Sequence, residues 1–299
     1  MSVELWRAAL CAVAVVNAAA WCLAARRLQR RAAQLPAEVL AVRRIVLKLS
    51  AIYVAGCAFR SALPMLDVQR ICLDDTLLSR IAVGRSVATV AELAFVAQWA
   101  LLLREAGRGA RPLVRHAALA LLPLAVAAET ASWLGVMTRD NLLHALENSL
   151  WTLGAALVVV ALVALRDGAD ERLRRAVGVG IAAVAGYLAF MVAVDVPMYL
   201  QRWQASGDTA LPLAVGLQQV LHRCMPTRAL AAWREDMPWL TLYFSVGVWL
   251  SIALGNVPPL AVRRSSRALH INAPALVSEA ARNAYGNARA SSHRAWRRS

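Results

Sequence analysis

The sequence predicts an all-α, polytopic integral membrane protein with seven transmembrane helices, its N-terminus outside and its C-terminus in the cytoplasm. Hydrophobic residues make up 60% of the 299-residue chain, and its mean hydropathy is +0.52. Soluble domains contain only about 45–50% apolar residues. The apolar residues form long runs, and the arginines lie in short blocks between them. This alternation is typical of a membrane-spanning bundle.

Seven apolar runs are long enough for a membrane-spanning helix, which takes about 20 residues. They are residues 5–24, 46–64, 82–103, 116–136, 144–165, 176–198 and 237–257. The first run has Glu4 before it and the basic block RRLQRR, residues 26–31, after it. A signal peptide carries its positive charge before the apolar run instead. The first run is therefore predicted to be a permanent helix of a bundle covering residues 1–257.

The distribution of arginine predicts the orientation of the chain. Arginine blocks occur in the segments 25–45, 104–115 and 166–175 and in the tail after residue 258. The alternate connections are poorer in arginine and contain the acids Asp67, Asp74, Asp75, Asp140, Asp208, Glu235 and Asp236. Because arginine-rich loops stay in the cytoplasm, the blocks are predicted to lie inside and the N-terminus outside.

Two segments outside the apolar runs have their own character. The long outer loop, residues 200–236, contains LPLAVGLQQVLHR (211–223), which predicts a short amphipathic helix on the membrane or over the bundle. The tail, residues 258–299, is basic and polar, and is predicted to be cytoplasmic and partly disordered. Its arginines suit the anionic lipids of the inner leaflet, and a simply solvated tail has the same composition.

The five cysteines divide by position. Cys11, Cys22 and Cys57 fall within predicted helices, where cysteine usually serves as a small packing residue. Cys72 and Cys224 both fall in predicted outer loops, which face an oxidising compartment if they are outside the cytoplasm. We therefore predict a Cys72–Cys224 disulfide that ties the long outer loop over the outer end of the third helix.

Four acidic residues lie within the predicted third to sixth helices. They are Glu92, Glu129, Glu147 and Asp195. A charged group at the centre of a membrane helix costs roughly 2.5–3.5 kcal/mol on insertion scales, so it faces the bundle interior or water and finds a partner. The predicted topology places all four acids in the outer half of the membrane or at its middle.

Candidate partners for these acids occur in the same zone. Arg85 precedes Glu92 by seven residues on the same helical face, and Arg60 lies near the outer end of the second helix. His144, Glu147 and Asn148 share one face of the fifth helix. We interpret Arg85, Glu92, Glu129, His144, Glu147, Asn148 and Asp195 as ligand- or proton-binding candidates that line an outward-facing polar cavity. Structural ion pairs to Arg85 or Arg60 would also explain Glu92 and Glu129. Glu147, Asp195 and His144 lie close enough to the membrane interface to be simply solvated there.

Three functions are compatible with these residues. The cavity could bind a small solute or a lipid headgroup for transport or sensing, with exchange of a proton. The acids and His144 could instead act as the general acid and base, or the metal ligands, of an enzyme with a lipid substrate. The bundle could also be a non-catalytic scaffold or subunit, in which interhelical polar contacts fix the packing.

The sequence argues against several other classes of partner. The net charge of +15 could indicate nucleic acid, but its confinement to the blocks between apolar runs favours membrane lipids as the partner. The chain contains no HExxH, CxxC or nucleophile-elbow pattern, so no cofactor or metal is predicted. The predicted location is the plasma membrane or an endomembrane, with the basic tail on the cytoplasmic side.

Overall fold

The structure is a computed structural model that describes residues 2–108, 112–166, 169–206, 210–222 and 224–259. Its long helices are α1 (Val3–Arg30), α2 (Ala37–Ala62), α3 (Ile81–Gly107), α4 (Pro112–Thr138), α5 (Asn141–Arg166) and α6 (Glu171–Phe190). Shorter helices follow as α7 (Val196–Ser206), α8 (Leu213–His222), α9 (Leu230–Trp233), α10 (Met237–Leu242) and α11 (Val248–Leu254). The tail from residue 260, predicted to be cytoplasmic and partly disordered, lies outside the described residues.

The fold is an all-α bundle of the kind found in membranes. Within the described residues, six helices are long and apolar enough to cross a membrane: Val3–Arg30, Ile81–Gly107, Pro112–Thr138, Asn141–Arg166, Glu171–Ala205 and Met237–Leu254. The predicted second span forms the helix α2, which has 26 residues but is not among these six. It packs against α1, α3 and α11.

Two of the apolar helices contain a π turn, which inserts an extra residue into the helical ladder and is often found at functional sites. Met191–Asp195 forms such a turn between α6 and α7, and Tyr243–Gly247 forms another between α10 and α11. The helix that begins as α6 therefore continues through its π turn and α7 to Ser206, whereas the sixth predicted span ends at residue 198. Each turn places an ionisable side chain, Asp195 or Tyr243, at one of its ends.

Consecutive long helices are packing neighbours: α1 with α2, α2 with α3, α3 with α4, α4 with α5, and α5 with α6. Neighbouring helices run antiparallel, through short connections except for residues 63–80 between α2 and α3. The bundle thus has two ends. We call the one where α1, α3, α5 and α11 terminate the basic end, and the opposite one the disulfide end.

A buried ion pair holds the basic end together. The Arg43 guanidinium donates to Glu105 at 2.6 and 3.0 Å, which joins the start of α2 to the end of α3. The same side chain donates to the carbonyl oxygens of Val257 and Pro258, each at 3.0 Å. Because only 1% of Arg43 is exposed, its charge depends on these acceptors in place of water.

The disulfide end is closed by the loops between helices. A small sheet, absent from the sequence prediction, consists of β1 (Met65–Leu66), β2 (Ile71–Cys72) and β3 (Met225–Pro226), with β1 antiparallel and β3 parallel to β2. Cys72 and Cys224 are joined by a disulfide, with Cα atoms 6.0 Å apart. The predicted amphipathic helix is present as α8, which packs against α3 and α4.

Arg70 anchors the turn between β1 and β2. Its backbone is left-handed, with φ at 57°, and its guanidinium donates to the carbonyl oxygens of Val136 and Met137 at 2.8 and 3.1 Å. It also bonds to Gln219 of α8. These contacts fix the β1–β2 turn over the end of α4.

Removal of Glu105 tests the buried pair at the basic end. Glu105→Ala leaves the Arg43 charge buried without its carboxylate, a change that typically costs about 3–5 kcal/mol. We expect a marked loss of folded yield and a lower Tm for the purified variant. Glu38→Ala is the control, since it removes the exposed pair with Arg108 at the same end and should leave Tm nearly unchanged. Equal Tm values for the two variants would contradict the account of the basic end.

Peptide mapping tests the disulfide. Without reductant, digestion should recover the Cys72 and Cys224 peptides as one cross-linked species, and with reductant as two. Cys72→Ser should lower Tm because it removes a link between positions 152 residues apart. Cys22→Ser changes an exposed free thiol and should not lower it. Recovery of both thiols in free form from protein isolated in its membrane would refute the link.

Candidate functional site

Arg85 lies near the start of α3 and is the centre of a group of carboxylates. Its Nη2 atom is 2.8 Å from Glu129 Oε2, 3.4 Å from Glu147 Oε1 and 3.6 Å from Glu92 Oε2. Its Nη1 atom is 3.8 Å from Asp67 Oδ2, in the β1–β2 turn. We call these five residues the Arg85 cluster. It joins α3, α4, α5 and the β1–β2 turn through one side chain that is only 7% exposed.

Hydrogen bonds extend the cluster to neighbouring side chains. The Thr89 hydroxyl donates to Glu129 Oε2 at 2.5 Å and accepts from the Trp133 indole at 3.0 Å. The Tyr243 hydroxyl, from the π turn before α11, donates to Glu92 Oε1 at 2.9 Å. His144 Nδ1 is 3.0 Å from Glu147 Oε2. Each glutamate thus has a second polar partner besides Arg85.

The cluster contains more acid than base. Arg60, 3.5 Å from Asp67, is the second guanidinium that contacts it within the described residues. Four carboxyl groups therefore face two permanent positive charges, a formal excess of two negative charges if every carboxyl is ionised. Buried like charges a few ångströms apart do not all ionise, and an unpaired buried charge is costly. If every carboxyl were ionised, the cluster would therefore carry a buried negative charge that its two guanidinium groups do not balance.

Several buried polar atoms of the site have no hydrogen-bond partner within the described residues. They are Arg85 Nε, Glu129 Oε1, His144 Nε2 and Ser132 Oγ. A buried polar atom without a partner costs about 1–3 kcal/mol, so native proteins seldom keep one without a reason such as a role in binding or catalysis. These atoms lie beside an excess of carboxylate, which makes the region a candidate binding site.

The structure brings together five of the seven sequence candidates: Arg85, Glu92, Glu129, His144 and Glu147. Asn148 is buried next to Glu147 on α5, and its backbone carbonyl accepts a hydrogen bond from the Thr152 hydroxyl. Asp195 lies outside this set of contacts, half-buried at the end of its π turn. Tyr199 follows Asp195 by one helical turn, and the centroid of its ring is 5.2 Å from the centroid of the His144 ring.

Asp67 and Thr89 belong to the site but are not among the candidates predicted from the sequence. Asp67 was assigned to an outer loop, but the β1–β2 turn folds back and carries it to Arg85. Thr89 was not singled out, although it lies four residues after Arg85 and three before Glu92 on one helical face. That spacing was the available signal for Thr89. No signal in the sequence predicts the return of Asp67.

The opening at this site is a groove on the flank of the bundle. Its volume is about 360 Å³, and its lining residues all belong to α3 and α4: Thr89, Leu93, Val126, Glu129, Thr130, Trp133, Leu134 and Met137. Most of its wall is apolar, and Glu129 is the most deeply buried of the lining residues. The outward-facing polar cavity predicted from candidates on the third to sixth helices thus differs from this groove, which lies between two helices.

Comparisons with known proteins do not identify this site. No known protein family, curated protein or solved structure matches the chain. Within the described ranges, no three His, Cys, Asp or Glu side chains are placed to hold a metal ion. The site is therefore interpreted from its own geometry, which is that of a buried, acid-rich ionic cluster.

Arg85 should be indispensable for folding as long as the four carboxyls remain. Arg85→Leu removes the shared cation, and a broken buried pair typically costs about 3–5 kcal/mol. Adding Glu129→Gln to Arg85→Leu should restore part of the lost Tm, because one carboxylate fewer then needs a partner. Arg228→Leu, which removes an exposed arginine bonded to Glu4 and Asp74, is the control. If Arg85→Leu behaves like this control, the cluster does not stabilise the fold.

Proposed function

We propose that this protein is a seven-span integral membrane protein whose Arg85 cluster binds a small solute or a lipid headgroup for transport or sensing. The observation that carries the proposal is the buried excess of four carboxyl groups over the two guanidinium groups of Arg85 and Arg60, beside polar atoms without a partner among the described residues. Such a site favours a ligand that brings a positive charge or a hydrogen-bond donor.

The proposed topology adds α2 to the six apolar helices. Seven crossings place the two termini on opposite sides. The arginine blocks and the basic tail then lie in the cytoplasm, in agreement with the positive-inside rule. The disulfide end then lies outside, where a Cys72–Cys224 bond is stable. The predicted location remains the plasma membrane or an endomembrane.

The same cluster is suited to proton exchange. The groups that face it are Arg60 and Asp67 at the end of α2 and in the turn after it, Arg85 and Glu92 on α3, Glu129 on α4, His144 and Glu147 on α5, and Tyr243 beside α11. Because acids outnumber the guanidinium groups, arrival of a cationic ligand would release a bound proton. Departure of the ligand would restore it. This exchange would link ligand binding to the proton concentration outside.

An enzyme is the second candidate, and one observation favours it. His144 Nδ1 is bonded to Glu147 while its Nε2 atom has no partner in the described residues, which is the arrangement of an oriented general base. The substrate of such a base would have to reach His144 Nε2. If the protein is an enzyme, His144→Ala should abolish turnover. If it binds or transports a ligand, His144→Ala should reduce binding less than Glu129→Gln does.

A ligand panel tests the binding proposal. The Tm of the purified protein is measured with butylammonium, sodium and phosphate at equal ionic strength. We expect a cation to raise Tm and phosphate to leave it unchanged, because a ligand that binds only the folded state stabilises it. Glu92→Gln and Glu129→Gln should each reduce that rise, and Asp75→Asn, which changes an exposed loop acid, should not.

Infrared spectroscopy supplies the proton measurement. Near neutral pH the wild-type protein should show the carbonyl band of a buried carboxylic acid, and Glu92→Gln or Glu129→Gln should weaken it. A cation that binds should weaken the same band. A protein with no such band, no ligand-dependent change in Tm and a fully ionised cluster would instead support the scaffold alternative.

A further inference from the structure

The groove between α3 and α4 opens beside the Arg85 cluster and on the flank of the bundle. All eight of its lining residues belong to these two helices, and several of them, such as Val126 and Thr130, are exposed at the bundle surface. In the proposed seven-span topology this flank faces lipid rather than the aqueous phase. A ligand can therefore reach the groove from within the bilayer.

The groove has two chemically different parts. Leu93, Val126, Leu134 and Met137 give it apolar walls, whereas Glu129 and Thr89 lie at its inner side. Glu129 is 4% exposed, and its Oε1 atom has no hydrogen-bond partner in the described residues while Oε2 is bonded to Arg85 and Thr89. A buried acceptor thus lies beneath an apolar groove, beside a cluster with surplus negative charge.

From this juxtaposition we propose that the groove binds a single-chain cationic amphiphile that enters from the membrane. Its apolar chain occupies the groove, and its ammonium group lies over Glu129, the acidic side chain of the lining. Ligand pockets have volumes of about 300–1,000 Å³. The groove, at about 360 Å³, lies near the lower end of this range, and its small volume favours an amphiphile with one chain over one with two. The inference rests on the proposed function, because it names the class of ligand that the Arg85 cluster receives.

Charge and aromatic composition favour an ammonium group over other headgroups. A phosphate or sulfate in the groove would meet the carboxylate of Glu129, with Glu92 and Glu147 behind it, each within 3.6 Å of Arg85 Nη2, and would be repelled. An ammonium group supplies the positive charge and the donors that the cluster lacks. Trp133, which lines the groove, adds an aromatic ring of the kind that attracts ammonium groups.

Photo-crosslinking tests the proposal in the full-length protein reconstituted in lipid nanodiscs. The probe is dodecylammonium with a diazirine in its chain, and the labelled peptides are identified after illumination. We expect saturable labelling of α3 and α4 around Leu93, Val126 and Leu134. Unlabelled dodecylammonium should compete, and dodecyl sulfate should not. Labelling spread over all lipid-facing helices, or competition by both amphiphiles alike, would overturn the proposal.

Matched variants separate the groove from the cluster. Val126→Trp fills the groove and should reduce specific labelling by about tenfold or more, which is about 1.4 kcal/mol of binding free energy. Val160→Trp, an equal change at an exposed position of α5, should leave labelling unchanged. Glu129→Gln should weaken binding to a similar extent as Val126→Trp while leaving the groove intact.

The short cation distinguishes failure of this inference from failure of the proposed function. If butylammonium raises Tm equally in wild-type protein and in Val126→Trp while dodecylammonium labels no site, the cluster binds ligands but not through the groove. If neither cation binds and Glu129→Gln has no effect, both the groove and the proposed function are wrong. Binding of dodecylammonium that is lost in Val126→Trp and in Glu129→Gln supports both.

Discussion

One guanidinium group shared among several carboxylates is the interaction on which the interior of this protein depends. Arg85 contacts glutamates of α3, α4 and α5 and an aspartate of the β1–β2 turn. In a bundle whose core is mostly apolar, such a side chain fixes the rotation and register of the helices that meet there. The dehydration cost of burying these charges is offset only while each keeps a partner, so the site and the packing depend on one another.

The two ends of the bundle support this interior in different ways. At the basic end, Arg43 joins α2, Glu105 of α3 and the chain just after α11. At the disulfide end, the Cys72–Cys224 link and the contacts of Arg70 fix the β1–β2 turn, which carries Asp67 to the cluster. The geometry of the cluster therefore depends on a loop that covalent and polar links fix from outside the helical core.

The π turn near α11 and the groove give the site features that an ionic lock between helices would not need. The turn at Tyr243–Gly247 presents the Tyr243 hydroxyl to Glu92, and the groove leaves Glu129 next to the flank of the bundle. A purely structural network is normally fully paired, because unpaired buried polar atoms cost stability without return. Within the described residues such atoms occur at Glu129 and His144 of the site and also at Arg70, which anchors the β1–β2 turn.

The amino-acid sequence by itself determined the helical class, the approximate helices and the residues able to carry charge inside the bundle. These properties follow from local composition, since a run of about 20 apolar residues is a spanning candidate wherever it lies. The tertiary structure decided which charges meet. An α-helix has 3.6 residues per turn, so the face on which a side chain lies depends on how the helix is rotated. That rotation, together with the π turns, brings Tyr243 to the cluster and leaves Asp195 outside its contacts. The return of Asp67 and the lateral groove depend on loop folding and on the fit of α3 against α4, which no local pattern contains.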